Sequence, residues 1–297
     1  MNRIEASSAA LGFFDGMHLG HRSVIEHALT AGKRLGVPVS AFTFTGQPSL
    51  PKFGGQRDVC LLSYFEKDIM LHECGVRRVF AYDFYEVREL SPEAFFENIV
   101  IGAMNAVFVV CGNNFRFGKN GAGDTELLGR LCKEHDIGFE TIPAVMSGNE
   151  PISSTRIRSL IREGNIEEAS AMLGYDFGYR LPVLHGRRLG HKLGFPTINQ
   201  IIPGYMIHPR YGVYASSAMI GEDVFPAITD IGVKPTVGSD CGEIMETHII
   251  GFDGDVYDRA VKVSLRFYIR GEKKFDSLDE LRAQLEKDKD ISIHTFS

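Results

Sequence analysis

Cysteine is scarce and poorly placed for cross-linking. Five residues, Cys60, Cys74, Cys111, Cys132 and Cys241, are scattered and odd in number, and no pair has C-x-x-C spacing. That argues against a disulfide framework and against a structural zinc site. No apolar run approaches the roughly 20 residues a membrane helix needs. The first residues, Met1 to Glu5, lack the charged-then-apolar layout of a secretory signal. Positive charge is also short: 32 Lys and Arg against 38 Asp and Glu leave a formal charge of −6. A broad basic face for nucleic-acid phosphates is therefore missing, although local basic pockets are not excluded. The expectation is a reduced, soluble, cytoplasmic protein that binds neither nucleic acid nor membrane. Its oligomeric state has no signature in the sequence.

What is present is ordinary globular material, 44% apolar and 24% charged, in 297 residues, about twice the length of one domain. Intrinsic disorder is excluded as the dominant state. In the first half, strand-like runs (Ala9–Leu11, Val37–Phe44, Arg78–Tyr82, Val107–Val110) alternate with helical ones (His21–Arg34, Leu62–Cys74, a start at Ser91-Pro92, Thr125–Asp136). Alternation of this kind implies parallel pairing in a doubly wound sheet. Residues 155–173 read as two short helices, broken at Gly164 and ended by Gly174. From Tyr179 onward the runs are short and β-rich: 181–184, 212–219, 224–228, 245–252 and 261–269. That pattern suggests a small β-barrel, closed by an amphipathic helix with Leu278, Leu281 and Leu285 on one face. The fold class expected is thus α/β, a doubly wound parallel-sheet domain over residues 1–180 followed by a β-barrel domain over 181–297 with a C-terminal helix.

Two constellations carry chemistry. The first is Gly12-Phe13-Phe14-Asp15-Gly16-Met17-His18-Leu19-Gly20-His21, placed where a first strand feeds a helix. Ligands of open parallel sheets bind outside such strand ends, and a helix start offers free N–H groups to phosphate. His18 and His21 share a face and can stabilise charge on a leaving pyrophosphate. Read without context, the glycines also suit a purely structural turn, and the histidines suit a metal or a solvated face. A second piece, Ile152-Ser153-Ser154-Thr155-Arg156-Ile157-Arg158, offers helix caps and a guanidinium, Arg158, in the first turn.

The other constellation opens the β-rich half, where Gly186, Gly190 and Gly194 recur in a basic loop. Thr197 and Asn199 follow; on an extended strand both face one way, as two small oxygen ligands suited to Mg²⁺. Farther on, Glu246 and His248 share a strand face, and Glu246 is the candidate general base. A solvated strand face is the plain alternative.

The H-x-G-H layout behind Phe14-Asp15-Gly16 resembles the nucleotidyltransferase signature, and Ser153-Ser154-Thr155-x-Ile157-Arg158 closes the same site in the resembling families. With the second constellation in this order, the chain resembles the bifunctional prokaryotic riboflavin kinase/FMN adenylyltransferases, or FAD synthetases, over nearly its whole length. Further matching segments are 110–118, 121–124, 211–214, 231–236 and 269–275. The resemblance implies two reactions with ATP as co-substrate: riboflavin to FMN in the second domain, then FMN to FAD with release of pyrophosphate in the first. It implies that His18, His21 and Arg158 contact ATP phosphates. Gly12, Phe14, Asp15, Gly16, Asn114, Ser154 and Thr155 would line that nucleotide site, with Asn114 in the nucleotide or flavin pocket. Gly186, Gly190 and Gly194 would cover the kinase nucleotide, Thr197 and Asn199 would hold Mg²⁺ and phosphate, and Glu246 would be the base. A chain with the kinase activity alone, or a non-catalytic flavin- or nucleotide-binding regulator, is the competing expectation. The sequence departs from the family pattern at Thr45-Gly46-Gln47-Pro48 (commonly Asp-Pro-His-Pro), Asp230 (Asn), His191 (Arg), Gly251 (Asp) and Asp258 (Gly).

Overall fold

The structure is a computed structural model that describes residues 4–45, 59–185, 194–233 and 243–296. The described chain divides by packing into two compact units, Met1–Ser154 and Thr155–Ser297.

The first unit is built on a five-stranded sheet of β1 (Ser7–Leu11), β2 (Val39–Phe44), β3 (Arg78–Tyr82), β4 (Ala106–Gly112) and β5 (Gly138–Ile142). The strand order is β3-β2-β1-β4-β5, and every pairing is parallel. β1 is central and wholly buried, which accounts for its small residues, Ser7-Ser8-Ala9-Ala10: a strand covered on both faces leaves little room. The buried Ser7 hydroxyl donates to the Met104 carbonyl at 2.7 Å and pairs with Ser40 Oγ at 2.7 Å, so its polarity is satisfied. Helix α1 (Leu19–Leu35) connects β1 to β2. It buries Val24, Ile25, Ala28 and Ala31, carries Lys33 and Arg34 in its last turn, and stops at Gly36 in the left-handed conformation. Helix α2 (Tyr64–Glu73) leads to β3. After the short α3 (Phe84–Val87), α4 (Pro92–Phe95) starts as expected, with Ser91 accepting from the Ala94 N–H and Pro92 in the first turn. The helix then widens into a π-helical stretch, Phe96–Ala103, and α5 (Thr125–Glu134) is capped by Asp124. Between them, Phe42, Phe95, Phe96, Phe117, Val109 and Leu128 make the core. A two-stranded ribbon, β6 (Met146–Ser147) and β7 (Glu150–Pro151), precedes α6 (Ser154–Glu163).

The second unit contains α7 (Ile166–Leu173), ended by left-handed Gly174, and six antiparallel strands: β8 (Gly178–Pro182), β9 (Thr197–Ile202), β10 (Gly212–Ile220), β11 (Asp223–Val233), β12 (Glu243–Ile249) and β13 (Ala260–Arg270). Their order, β8-β13-β10-β11-β12-β9, curls into a nearly closed barrel. The seam between the end strands is tied by the Leu184 N–H donating to the Asn199 carbonyl at 2.8 Å. The fully buried Gln200 amide also donates to Leu181 O at 2.7 Å and Val261 O at 2.9 Å. Inside, the buried hydroxyls of Ser216, Thr229 and Thr247 form a ladder across three strands at 2.8 and 2.9 Å.

Helix α8 (Leu278–Phe296) is longer than its apolar pattern indicates, and its anchor is different. Leu278 is 69% exposed, whereas Asp288 and Ser292 are buried. Asp288 receives Arg270 through both carboxylate oxygens, at 3.2, 3.1 and 2.7 Å, and Ser292 donates to Ala227 O at 2.6 Å. The polar pairs, not the leucine stripe alone, seat the helix.

Candidate functional site

In the first unit the turn between β1 and α1 is held in an uncommon conformation. Phe14 and Met17 have φ of 54° and 40°, with Gly16 at 84° between them. Left-handed backbone at two bulky residues is strained. It persists because both side chains are fully buried and act as anchors. Gly12 is required there, since a Cβ would stand 2.8 Å from the Phe14 ring. The turn delivers His18 as the N-cap of α1, its Nδ1 accepting from the His21 N–H at 3.3 Å. That bond places the His18 proton on Nε2. The His18 and His21 rings stack with centroids 3.6 Å apart, and the edge of Phe14 abuts His21 at 5.5 Å. Burial, then the neighbouring His18 and Lys67, push the His21 pKa well below 6.5. Its buried Nδ1 has no hydrogen-bond partner among the described residues. The pair is thus two imidazoles at a helix start, with His21 held neutral.

Other residues expected at this site have mixed placements. Asp15 is 2% exposed, and its carboxylate accepts from the Leu61 N–H at 2.9 Å and the Leu62 N–H at 3.4 Å, so it organises backbone in the fold. Its carbonyl accepts from the Ser154 hydroxyl at 2.9 Å, which joins the start of α6 to the strained turn. Asn114 is exposed on the turn following β4, at a strand's carboxyl end, and Thr155 is exposed on α6. Arg158 lies in the second unit and is 4% exposed. Sequence reasoning missed Lys67, which is buried against Phe13 O, Thr43 Oγ1 and Phe44 O. Only a tertiary contact 54 residues away in sequence could have shown it. Positions 46–48 lie outside the described residues.

In the second unit, Asn199 and Glu246 are direct cross-strand partners, and so are Thr197 and His248. With period-2 alternation the four side chains share one face, half-buried. The candidate cation ligands and the candidate base therefore converge on adjacent strands 47 positions apart in sequence. Among the described residues no group of three or more His, Cys, Asp or Glu could hold a metal ion. The oxygen pair Thr197 and Asn199 fits a hard cation that retains waters and substrate phosphates. His248 Nδ1 donates to Pro196 O at 2.9 Å, and its ring meets Phe195 edge-on, which fixes the entry to β9. Burial lowers the His248 pKa, Lys289 lowers it further, and the Pro196 bond and Glu286 oppose them.

A cleft of about 560 Å³ is lined by Pro196, Thr197, Ile198, Thr247, Ile249 and Tyr257, so it lies mainly on the opposite face of β9 and β12 from Asn199, Glu246 and His248, which do not line it. His185 stacks on Tyr257 at 4.2 Å. Gly194 has φ +80 and open space around it. Gly186, Gly190 and His191 lie outside the described residues. Asp230, on a longer β11 than its apolar run of 224–228 indicates, is directly opposite Glu246 and on its face. Like charges placed so are mutually unfavourable. The exchanged pair Gly251 and Asp258 has a backbone cause: both are left-handed, at φ 78° and 59°, a conformation glycine adopts freely and aspartate tolerates.

Comparison with known proteins agrees with this division. Residues 2–156 match the family model for FAD synthetase and residues 173–296 that for riboflavin kinase. A bifunctional riboflavin kinase/FMN adenylyltransferase of Escherichia coli (strain K12) is 33% identical over 96% of this chain and 91% of that protein. Proteins of the same name from Bacillus subtilis and Listeria monocytogenes are 32% and 34% identical, over 98% and 94% of this chain and 93% and 89% of theirs. A crystal structure described as a macrolide-efflux protein from Streptococcus pneumoniae superimposes with a TM-score of 0.86 at 30% identity, covering 97% of this chain and 94% of that one. Among the described residues, no helix here is long and apolar enough to cross a membrane.

Proposed function

The chain belongs to the bifunctional riboflavin kinase/FMN adenylyltransferases, and from that premise we propose how its residues divide the two reactions. The enzyme phosphorylates riboflavin to FMN with ATP, then adenylylates FMN to FAD with release of pyrophosphate. We assign adenylyl transfer to residues 1–180 and the kinase reaction to 181–297.

In the kinase step Glu246 accepts the proton of the ribityl hydroxyl as its oxygen attacks the γ-phosphorus of ATP and the bond to the β-phosphate breaks, releasing ADP. Thr197 and Asn199, on the same face, would hold Mg²⁺ against the nucleotide phosphates. Bound there, the cation would neutralise charge on the β- and γ-phosphates. By resemblance, Gly186, Gly190 and Gly194 belong to the segment that binds the kinase nucleotide. His248 keeps Pro196, and with it Thr197, in place.

In the adenylyl step the FMN phosphate attacks the α-phosphorus of a second ATP. His18, with its proton on Nε2, donates to a phosphate oxygen. His21 and the N–H groups at the start of α1 add donors on the same side. Neither step needs a protein nucleophile, in keeping with sites built from Gly, His, Arg, Thr and Asn. Supply of ATP and flavin places the enzyme in the cytoplasm.

The observation that carries this reading is the convergence of Thr197, Asn199 and Glu246 on one barrel face from strands far apart in sequence. Incubation with riboflavin, ATP and Mg²⁺, followed by chromatography, tests it. FMN appearing first and FAD second is expected; FMN accumulating without FAD would reduce the chain to a kinase.

A further inference from the structure

Lys67, on α2, is only 5% exposed, and its ammonium lies at the carboxyl ends of β1 and β2. Nζ donates to Phe13 O at 3.2 Å, Thr43 Oγ1 at 3.1 Å and Phe44 O at 2.8 Å. The Thr43 hydroxyl in turn donates to Phe13 O at 2.7 Å. The Phe13 ring lies 4.8 Å from Nζ and the Tyr64 ring 5.9 Å. All three hydrogen-bond acceptors are uncharged, so the cation's three N–H groups are spent on backbone and hydroxyl oxygens. Burying an ammonium is costly, and an apolar side chain would fill the same space at lower cost. What the ammonium adds is a joint. It fastens Phe13, at the head of the turn whose next residue is left-handed, to Phe44, the last residue of β2.

We propose that Lys67 is a positioning residue for adenylyl transfer: by clamping the Phe13 carbonyl to the end of β2 it fixes the strained turn that presents His18, His21 and the start of α1 to ATP. This rests on the reading of His18 and His21 as phosphate contacts. A second consequence follows from the count of donors. Burial lowers the Lys67 pKa to about 8, opposed by Asp15 and Cys60, which raise it. Its charge also depresses His21. Asp15, Cys60, His21 and, on its own helix, Tyr64 are the titratable groups around it. A neutral amine has two N–H groups for three acceptors, so one of the three bonds that make the joint is lost; arginine has five and stays charged. Adenylyl transfer therefore weakens as pH rises through about 8 in the parent, and does not in Lys67→Arg.

The test uses the full chain and two assays on each preparation: FAD from FMN and ATP, and FMN from riboflavin and ATP. Lys67→Met, folded by circular dichroism at the assay temperature, should form FAD about 10²-fold more slowly, the order of loss expected of a misplaced site, with riboflavin phosphorylation unchanged within about twofold. Lys67→Arg should keep its FAD rate at pH 9, where the parent has lost most of its own. A folded Lys67→Met with near-parental FAD formation overturns the proposal, as does a Lys67→Arg profile that falls with the parent's. If Lys67→Met fails to fold, the Lys67→Arg profile decides alone. A parent that makes no FAD refutes the histidine site itself and the proposal with it; a parent that makes FAD while both variants behave as it does sinks only the role of Lys67.

Discussion

Replacing Asp15 with alanine separates a carboxylate that holds the fold from one that works on the nucleotide. Its Oδ1 accepts from the Leu61 N–H at 2.9 Å and the Leu62 N–H at 3.4 Å, and the residue is 2% exposed. Alanine removes both acceptor contacts from buried amides. A buried donor left unpaired costs about 1–3 kcal/mol. The 2.9 Å bond is at full strength and the 3.4 Å one is weak, so the variant should lose about 2–4 kcal/mol of stability in the first unit. At about 2–4 °C per kcal/mol for a unit of this size, the melting midpoint falls by about 5–15 °C. Asparagine keeps an acceptor oxygen at the position and should recover more than half of the loss. Thermal unfolding by circular dichroism and the KM for ATP in FAD formation, measured on the same samples, provide the assay. If Asp15→Ala melts with the parent while its KM for ATP rises about tenfold, the structural role argued for this carboxylate is wrong.

Acid should weaken both units through histidines whose burial lowers their pKa. His21 and His248 have folded-state pKa values below the ordinary 6.5. The unfolded chain then binds more protons than the folded one below pH 6.5, so stability is complete above that value and is lost as pH falls through it toward the folded-state values. His21→Gln and His248→Gln should each flatten the slope between pH 7 and about 5 in urea titrations; an unchanged slope would contradict the burial argument. Asp288→Ala leaves Arg270 without its buried partner and should cost about 3–5 kcal/mol, measured as a lower urea midpoint. A cost below about 1 kcal/mol would show that α8 is held by its apolar face after all.

Local signals were legible in proportion to how local their physics is. The cap at Ser91, the break at Gly164 and the stop at Gly174 depend on a few neighbouring residues, and they stand where their residue types indicate. The parallel order of the first sheet follows from alternating strands and helices. β3 ends where its apolar run ends, whereas β11 extends five residues beyond its run because pairing with β12 carries on through Thr229, Asp230 and Gly232 to Val233. At the sites, two-residue spacing was enough to place Thr197 and Asn199 on one face. Their meeting with Glu246 depends on barrel register, which no local pattern encodes. Lys67 and Asp288 were illegible for a related reason. A charged residue in an amphipathic helix reads as solvent-facing until a distant partner, Phe13 or Arg270, is known to wait for it. The serines and arginines at 153–158 were legible as a motif; Ser154 donates to the Asp15 carbonyl and Arg156 pairs with Glu168.

On the proposed division, two separate sets of residues run two different displacements on ATP. A paired-product assay on Glu246→Gln and on the double variant His18→Ala/His21→Ala tests it most directly, with riboflavin and FMN offered separately. Glu246→Gln should lose about 10²- to 10⁴-fold in FMN formation and still turn FMN into FAD at the parental rate. The histidine variant should do the reverse. Loss of both products in either variant, or undiminished FMN formation by Glu246→Gln, would contradict the division of labour proposed for this chain.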